Sequence, residues 1–101
     1  MAERYFTHAT WQVKPGSEQQ FERIWREDLA RAFQAVSPEA TGTLIQSLDD
    51  PLRYVSFGPW QSLADMQRAR SDPSAQQALA KLRGLCETAT PGAFRVVLTI
   101  L

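Results

Sequence analysis

The chain has 101 residues, 44% of them hydrophobic, which fits one domain with a single core. Eleven basic residues balance eleven acidic ones and lie scattered, so we expect no nucleic-acid partner, because that binding needs clustered cations. The single cysteine, Cys86, excludes an internal disulfide and a cysteine metal site, and the lack of a signal-peptide pattern or a long apolar run predicts a cytoplasmic protein without a membrane partner.

The first part of the chain predicts a strand followed by a long helix. Residues 5–13 alternate between two partly apolar faces, which is the pattern of a β-strand. Residues 14–16, Lys-Pro-Gly, predict a turn, after which Ser17 should cap a helix in a capping box with Gln20. Apolar residues then recur at spacings of three and four, and the helix should end before Pro38.

The middle of the chain predicts a β-hairpin. Residues 42–48 and 53–57 have the composition of strands, and the Asp-Asp-Pro link between them is too short for a crossover, so the two strands should be antiparallel. The second strand should end at Gly58 and Pro59, since proline cannot donate to a β-ladder.

The last part predicts two helices and a strand. Ser62 should cap the first helix, with Asp65 reaching back to a free amide. Asp72 should cap a second helix, whose apolar face continues to Cys86. Residues 90–92 then break the chain, and residues 94–101 predict the final strand.

This order of elements indicates an α+β domain with the ferredoxin-like βαββαβ arrangement, a four-stranded antiparallel sheet with helices on one face. The strands are apolar on both faces, so Tyr5, Trp11 or Val13 on the open face would form an exposed apolar patch. We therefore expect a homodimer in which two sheets pack against each other.

Three polar or aromatic residues are candidates for chemistry. Trp60, at the joint between strand and helix, can stack on a flat aromatic and donate its indole N–H, or simply pack the corner. Ser56 can hold a substrate oxygen, or be a serine of the ladder edge. His8 can deprotonate a phenol near neutral pH, or bond a neighbour at a dimer seam. No second histidine or cysteine lies near His8 in the sequence, so we expect no metal site.

Apolar residues supply the candidate walls of a pocket. Met66 and Leu79 lie at helical spacing and belong either to the core or to the wall of an apolar cavity, and Trp25 is expected to reach the same pocket. Gly42 and Gly58 stand alone, outside any phosphate-cradling pattern, so we expect no nucleotide cofactor.

Several stretches together resemble the antibiotic biosynthesis monooxygenase (ABM) domain, and the resemblance covers nearly the whole chain as one domain, residues 1–101. They are Trp-Gln-Val-Lys-Pro-Gly at 11–16, Gly42 at the second strand, Tyr-Val-Ser-Phe-Gly-Pro-Trp-Gln-Ser at 54–62, and Ser-Asp-Pro at 71–73. The resemblance implies a dimeric α+β barrel in which two sheets combine. It also implies a monooxygenase that oxidises flat phenols or quinols with O₂ and uses no cofactor.

The family's functional residues carry over unevenly. Trp60 falls on the tryptophan that lines the cavity of the aromatic polyketide monooxygenases. Ser56 stands where those enzymes have asparagine, Met66 where they have tyrosine, and Leu79 where they have arginine. Haem-degrading relatives require an asparagine, a tryptophan and a histidine at positions where this chain has Ala9, Ala69 and Ala78. The resemblance therefore does not extend to haem degradation.

Three functions follow. The first is a cofactor-independent monooxygenase in which Trp60 stacks the substrate, Ser56 orients an oxygen and His8 serves as base. The second is a dimer that binds a small aromatic molecule without turnover. The third is isomerisation of a small ring compound, for which only His8 offers a base.

Overall fold

A computed structural model describes residues 4–101 and contains the predicted ferredoxin-like α+β arrangement. Four strands form one antiparallel sheet in the order β2-β3-β1-β4, with helices against one face. No helix in this range is long and apolar enough to cross a membrane. The elements in chain order are β1 (Tyr5–Val13), α1 (Glu18–Ile24), a π-helical segment (Trp25–Leu29), α2 (Ala30–Val36), β2 (Thr43–Gln46), β3 (Arg53–Trp60), α3 (Leu63–Ser71), α4 (Pro73–Gly84) and β4 (Cys86–Arg95).

The first helix follows the predicted range but contains a π turn in its middle. The backbone N–H of Ala30 donates to the carbonyl of Trp25, five residues back, which is the hydrogen bond of a π-helix. The predicted capping box is wrong, because the Ser17 side chain makes no capping hydrogen bond. Gly16 has a φ of +88°, which explains why a glycine ends the turn before the helix.

The caps of the two later helices are largely as predicted. The Ser62 hydroxyl accepts from the backbone N–H of Asp65, and the Asp72 carboxylate accepts from the backbone N–H of Ala75 at 3.0 Å. The carboxylate of Asp65 does not reach back, however, because it accepts from the Arg68 guanidinium instead.

Strand β3 continues past the glycine and proline that were predicted to end it. Gly58 and Pro59 pair with β1, and the strand runs to Trp60. Strand β2 pairs only as far as Phe57, so beyond that residue β3 has a free edge on that side. A proline is tolerated at such an edge because no partner needs its missing N–H.

The last strand also differs from the prediction of residues 94–101. Helix α4 ends at Gly84, and β4 begins at Cys86 and pairs with the whole of β1. As an edge strand, β4 accommodates Pro91. Residues 96–101 follow without regular structure, and four of their apolar side chains are exposed: Val97, Leu98, Ile100 and Leu101.

One face of the sheet packs against the helices and the other is open, and the residues on the open face are not those that the sequence suggested. Trp11 and Val13 lie in the core, each 1% exposed, and not on the open face. The open face carries the alternate residues of the strands, among them exposed Ile45, Phe57 and Phe94. The open face is therefore apolar, although different residues make it so.

Candidate functional site

Small residues in the middle of the sheet leave a hollow beneath the helices. On the helix-facing side of β1, Ala9 lies between larger neighbours and pairs with Ser56 of β3 and Pro91 of β4. Gly58 is the next residue of β3 on this side. The buried rings of Trp11 and Trp60 stand at opposite ends of this row. Large side chains thus hold the helices away from the sheet at both ends, while small ones in the middle do not fill the gap.

A cavity of about 510 Å³ occupies this hollow. A volume of this size is typical of sites for small organic ligands. Its walls are mostly apolar and aromatic, as such sites usually are. Among the residues that border it are Trp25, Leu29, Phe33, Trp60 and Leu79.

Two tryptophan–hydroxyl pairs cross the floor of the cavity. The indole Nε1 of Trp60 donates to the Thr7 hydroxyl, and that of Trp11 donates to the Ser56 hydroxyl, each at 3.0 Å. Trp60 also packs edge-to-face against Phe33, with ring centroids 5.2 Å apart. Both hydroxyls border the cavity, so each tryptophan fixes a polar group of the floor.

The predicted site residues divide into two groups. Trp60, Ser56, Trp25 and Leu79 all border the cavity. Met66 is 3% exposed and packs in a core cluster beside Trp60.

His8 borders the cavity as a residue of β1, but its ring lies on the open face of the sheet. Its ring centroid is 5.5 Å from that of Phe94, and its partner on β3 is Phe57. Ser56 and Trp60 lie on the opposite, helix-facing side.

Polar residues of the two later helices complete the cavity and were missed in the sequence. Arg70 of α3 and Gln76 and Arg83 of α4 border it, and all three are exposed. Gln76, Leu79 and Arg83 follow one another at spacings of three and four, which places them on one face of α4. That spacing could have revealed a partly polar stripe beside the core stripe. No aspartate or glutamate of the described residues borders the cavity.

Trp25 is unusual in its position and in its hydrogen bonding. It begins the π segment, and such segments often occur at functional sites. Its indole nitrogen is buried and has no hydrogen-bond partner among the described residues. The far edge of its ring lies where Gly42 comes closest, since a Cβ on that glycine would be 3.4 Å from Trp25 Cη2. Gly42 therefore packs against the outer edge of the indole ring.

Within residues 4–101, no three histidine, cysteine, aspartate or glutamate side chains converge as metal ligands. The shifted titratable groups also lie outside the cavity. Burial raises the pKa of the Cys86 thiol, and burial together with the neighbouring Glu22 carboxylate raises the pKa of Tyr54. The cavity thus offers hydrogen-bond donors and cations, and no carboxylate from residues 4–101 borders it.

Comparisons with known proteins identify solved structures with the same fold and a family whose sequence model matches this chain. SnoaB, a cofactor-independent oxygenase from Streptomyces nogalater, matches over 98% of both chains at 25% identity, with a TM-score of 0.79, and an asparagine-to-alanine variant of it gives 0.81. A NIPSNAP family protein from Agrobacterium tumefaciens shares the fold, with 16% identity over 90% of both chains and a TM-score of 0.65. No curated protein matches the sequence. The sequence model described as antibiotic biosynthesis monooxygenase matches residues 4–81, and the chain therefore belongs to that family.

Proposed function

We propose that this protein is a cofactor-independent monooxygenase that oxidises a flat phenolic or quinol-type aromatic with O₂ inside the cavity. The observation that carries the proposal is the cavity itself, with aromatic walls above a floor that presents two hydroxyl groups. Membership of the family and the likeness to SnoaB, described as a cofactor-independent oxygenase, support the same reaction class.

The chemistry draws its electrons from the substrate. A phenol or anthrone loses a proton, and the resulting anion transfers one electron to O₂, which gives a substrate radical and superoxide. The two recombine through a new carbon–oxygen bond to give a peroxide anion, which takes back a proton, and the hydroperoxide then loses water to leave a carbonyl. The balance is one substrate CH₂ and one O₂ converted to one C=O and one H₂O, so no external reductant is needed.

In this proposal the protein acts by binding, orientation and exclusion of water. The rings of Trp60 and Phe33 form an aromatic wall for a flat substrate, and Leu79 adds an apolar side chain to the lining. Hydroxyl donors on the floor stabilise the substrate as an oxyanion, which lowers its pKa and assists the first proton loss. A base role for His8 requires proton transfer from the opposite side of the sheet, and His8→Gln tests it.

The proposal includes a homodimer in which two open sheet faces meet. Ile45, Phe57 and Phe94 on that face are 48%, 37% and 55% exposed in the single chain. Three exposed apolar residues on one face form the kind of patch that is typical of an interaction surface. The apolar residues 96–101 extend from the same sheet and would add to the buried area.

O₂ consumption with dithranol, a dihydroxyanthrone, tests the activity. We expect the wild-type protein to consume O₂ well above the rate of autoxidation in buffer. Leu79→Trp should obstruct the cavity and return the rate to that of buffer. Ala80→Trp, on the next and exposed residue of α4, is the matched control and should keep full activity. Equal traces for wild type, both variants and buffer would refute the monooxygenase proposal.

The alternative is a dimer that binds a small aromatic molecule without turnover. One observation favours it: Leu79 borders the cavity and Met66 packs in the core, so neither supplies the polar group that the family resemblance places there. This alternative predicts saturable tryptophan quenching by anthrones with no product. Detection of an oxidised product by mass spectrometry would exclude it.

A further inference from the structure

The two tryptophan–hydroxyl pairs determine which groups on the cavity floor are available to a ligand. An indole N–H can only donate, so in each pair the hydroxyl oxygen of Thr7 or Ser56 is the acceptor. Each hydroxyl keeps one hydrogen to donate, and it meets no acceptor among residues 4–101. The floor therefore presents two hydroxyl donors, whereas the indole N–H of Trp60 is already engaged.

The spacing of the two hydroxyls sets a geometric requirement. Thr7 pairs with Gly58, and Ser56 is two residues before Gly58 on the same face, so the two hydroxyl residues are diagonal neighbours. Diagonal neighbours in an antiparallel pair have Cα atoms about 7–8 Å apart. The residues that lie beside this diagonal are Ala9, whose small side chain leaves space above the floor, and Gly58, over which the backbone of Thr41 passes. A flat, rigid molecule can thus contact both hydroxyls at once.

The surroundings favour a ligand that brings acceptors. The border of the cavity includes Arg70 and Arg83 and no aspartate or glutamate of the described residues. A ligand oxygen at the floor would supply the acceptor that these two hydroxyl donors lack.

We infer that the cavity takes a fused aromatic molecule with two oxygen substituents along one edge, one accepting from Thr7 and the other from Ser56. Thr7 is then a substrate-binding residue, and Trp60 acts on the substrate by stacking and by holding the Thr7 oxygen. The inference rests on the proposed function for its ligand class. Its test, however, measures binding and not turnover, so protein that binds as expected but consumes no O₂ would refute the oxygenase alone.

Calorimetric titration with three ligands of similar shape provides the test. Naphthalene-2,7-diol carries two oxygens on one edge, 2-naphthol carries one, and 2-methylnaphthalene carries none. We expect the affinity of the wild type to rise about fivefold for each oxygen, the usual net gain from one neutral hydrogen bond.

Variants then assign the donors. Trp60→Phe should weaken all three ligands alike and keep the preference for the diol, because Thr7 still donates. The double variant Thr7→Val/Trp60→Phe should prefer the diol about fivefold less than Trp60→Phe does. Because Trp60 is replaced as well, no indole N–H is left unpaired. Thr10→Val/Trp60→Phe, which makes the same change on the opposite face of β1, should keep it. Ser56→Ala/Trp11→Phe, compared with Trp11→Phe alone, should remove the contribution of the second oxygen without leaving an unpaired indole.

Melting curves and a conservative variant separate binding from folding. Thr7→Ser/Trp60→Phe retains a hydroxyl and should recover the diol preference at a similar melting temperature. Loss of the preference in Trp60→Phe alone would identify the indole as the donor and overturn the inference. Equal affinity of the wild type for the three ligands, or no binding of the diol, would also overturn it.

Discussion

Gly58 lies so close to Thr41 that a side chain at this position has no space. A Cβ added to Gly58 would be 2.2 Å from the backbone oxygen of Thr41 and 3.1 Å from Gly42 Cα. The chain leading into β2 thus passes directly over β3, at the border of the cavity. The close approach explains why the strand contains a glycine where a β-former would otherwise be favoured.

Gly58→Ala should therefore destabilise the protein. Because the contact is with backbone, the segment at Thr41 must move, and we expect a loss of about 3 kcal/mol in the free energy of unfolding. Urea denaturation measures the change. Gly84→Ala is the matched control, since a Cβ there meets nothing within 4 Å. A Gly58→Ala variant as stable as the control would show that this packing is incorrect.

Ser56→Ala should lower stability because it leaves the buried Trp11 indole N–H without an acceptor. Trp11 is 1% exposed, and its hydrogen bond to Ser56 is 3.0 Å long. An unsatisfied buried donor costs about 1–3 kcal/mol. A double-mutant cycle with Trp11→Phe separates this term from the lost ring contacts, and a coupling energy near zero would contradict the assigned hydrogen bond.

Stability should fall at alkaline pH because two buried acids resist ionisation in the folded protein. Burial raises the pKa of Cys86 above its ordinary value of 9.0, and burial and Glu22 raise that of Tyr54 above 10.0. The folded state then holds more protons than the unfolded state, so the stabilisation is complete below about pH 8 and declines as the pH rises through these values.

Thermal melts between pH 7 and pH 11 measure this decline, on the scale set by about 1.4 kcal/mol for each unit of pKa difference. Tyr54→Phe should flatten the upper part of the curve, although it also removes the 2.7 Å hydrogen bond to Glu22. A wild-type curve that stays level up to pH 11 would be inconsistent with buried, protonated forms of both groups.

Phe57→Asp should convert the proposed dimer to a monomer, because it places a charge in the centre of the open sheet face. Phe57 pairs with His8, and although it borders the cavity as a residue of β3, its position in the strand places its side chain on the open face. Light scattering after size exclusion measures the mass, and Glu87→Lys at an exposed site of β4 is the control. A wild-type protein that runs as a monomer at micromolar concentration would exclude the dimer.

The sequence predicted the fold because periodicity and turn chemistry are local. Asp72 and Ser62 cap their helices as expected, since a cap needs only the residues that follow it. The errors at Pro59 and in the last strand have one cause. Whether a proline ends a strand depends on whether another strand lies beside it, and only the tertiary fold determines that.

The candidate site was predicted in part for similar reasons. The position of Trp60 at the end of a strand was visible in the sequence, but its partner Thr7 is 53 residues away. The hollow depends on Ala9, Ser56 and Pro91 lying side by side in three strands, a register that no single stretch encodes. Arg70 and Arg83 appeared to be ordinary surface cations until the packing of α3 and α4 placed them at the cavity.

Turnover under isotopically labelled dioxygen tests the central claim most directly. Protein freed of metal by chelation and without added cofactor should convert dithranol to a product that gains one labelled oxygen atom, as mass spectrometry would show. Leu79→Trp should abolish that incorporation, and Ala80→Trp should preserve it. Product without the label would contradict oxygenation by O₂. Labelled product formed equally by Leu79→Trp would contradict oxygenation in this cavity.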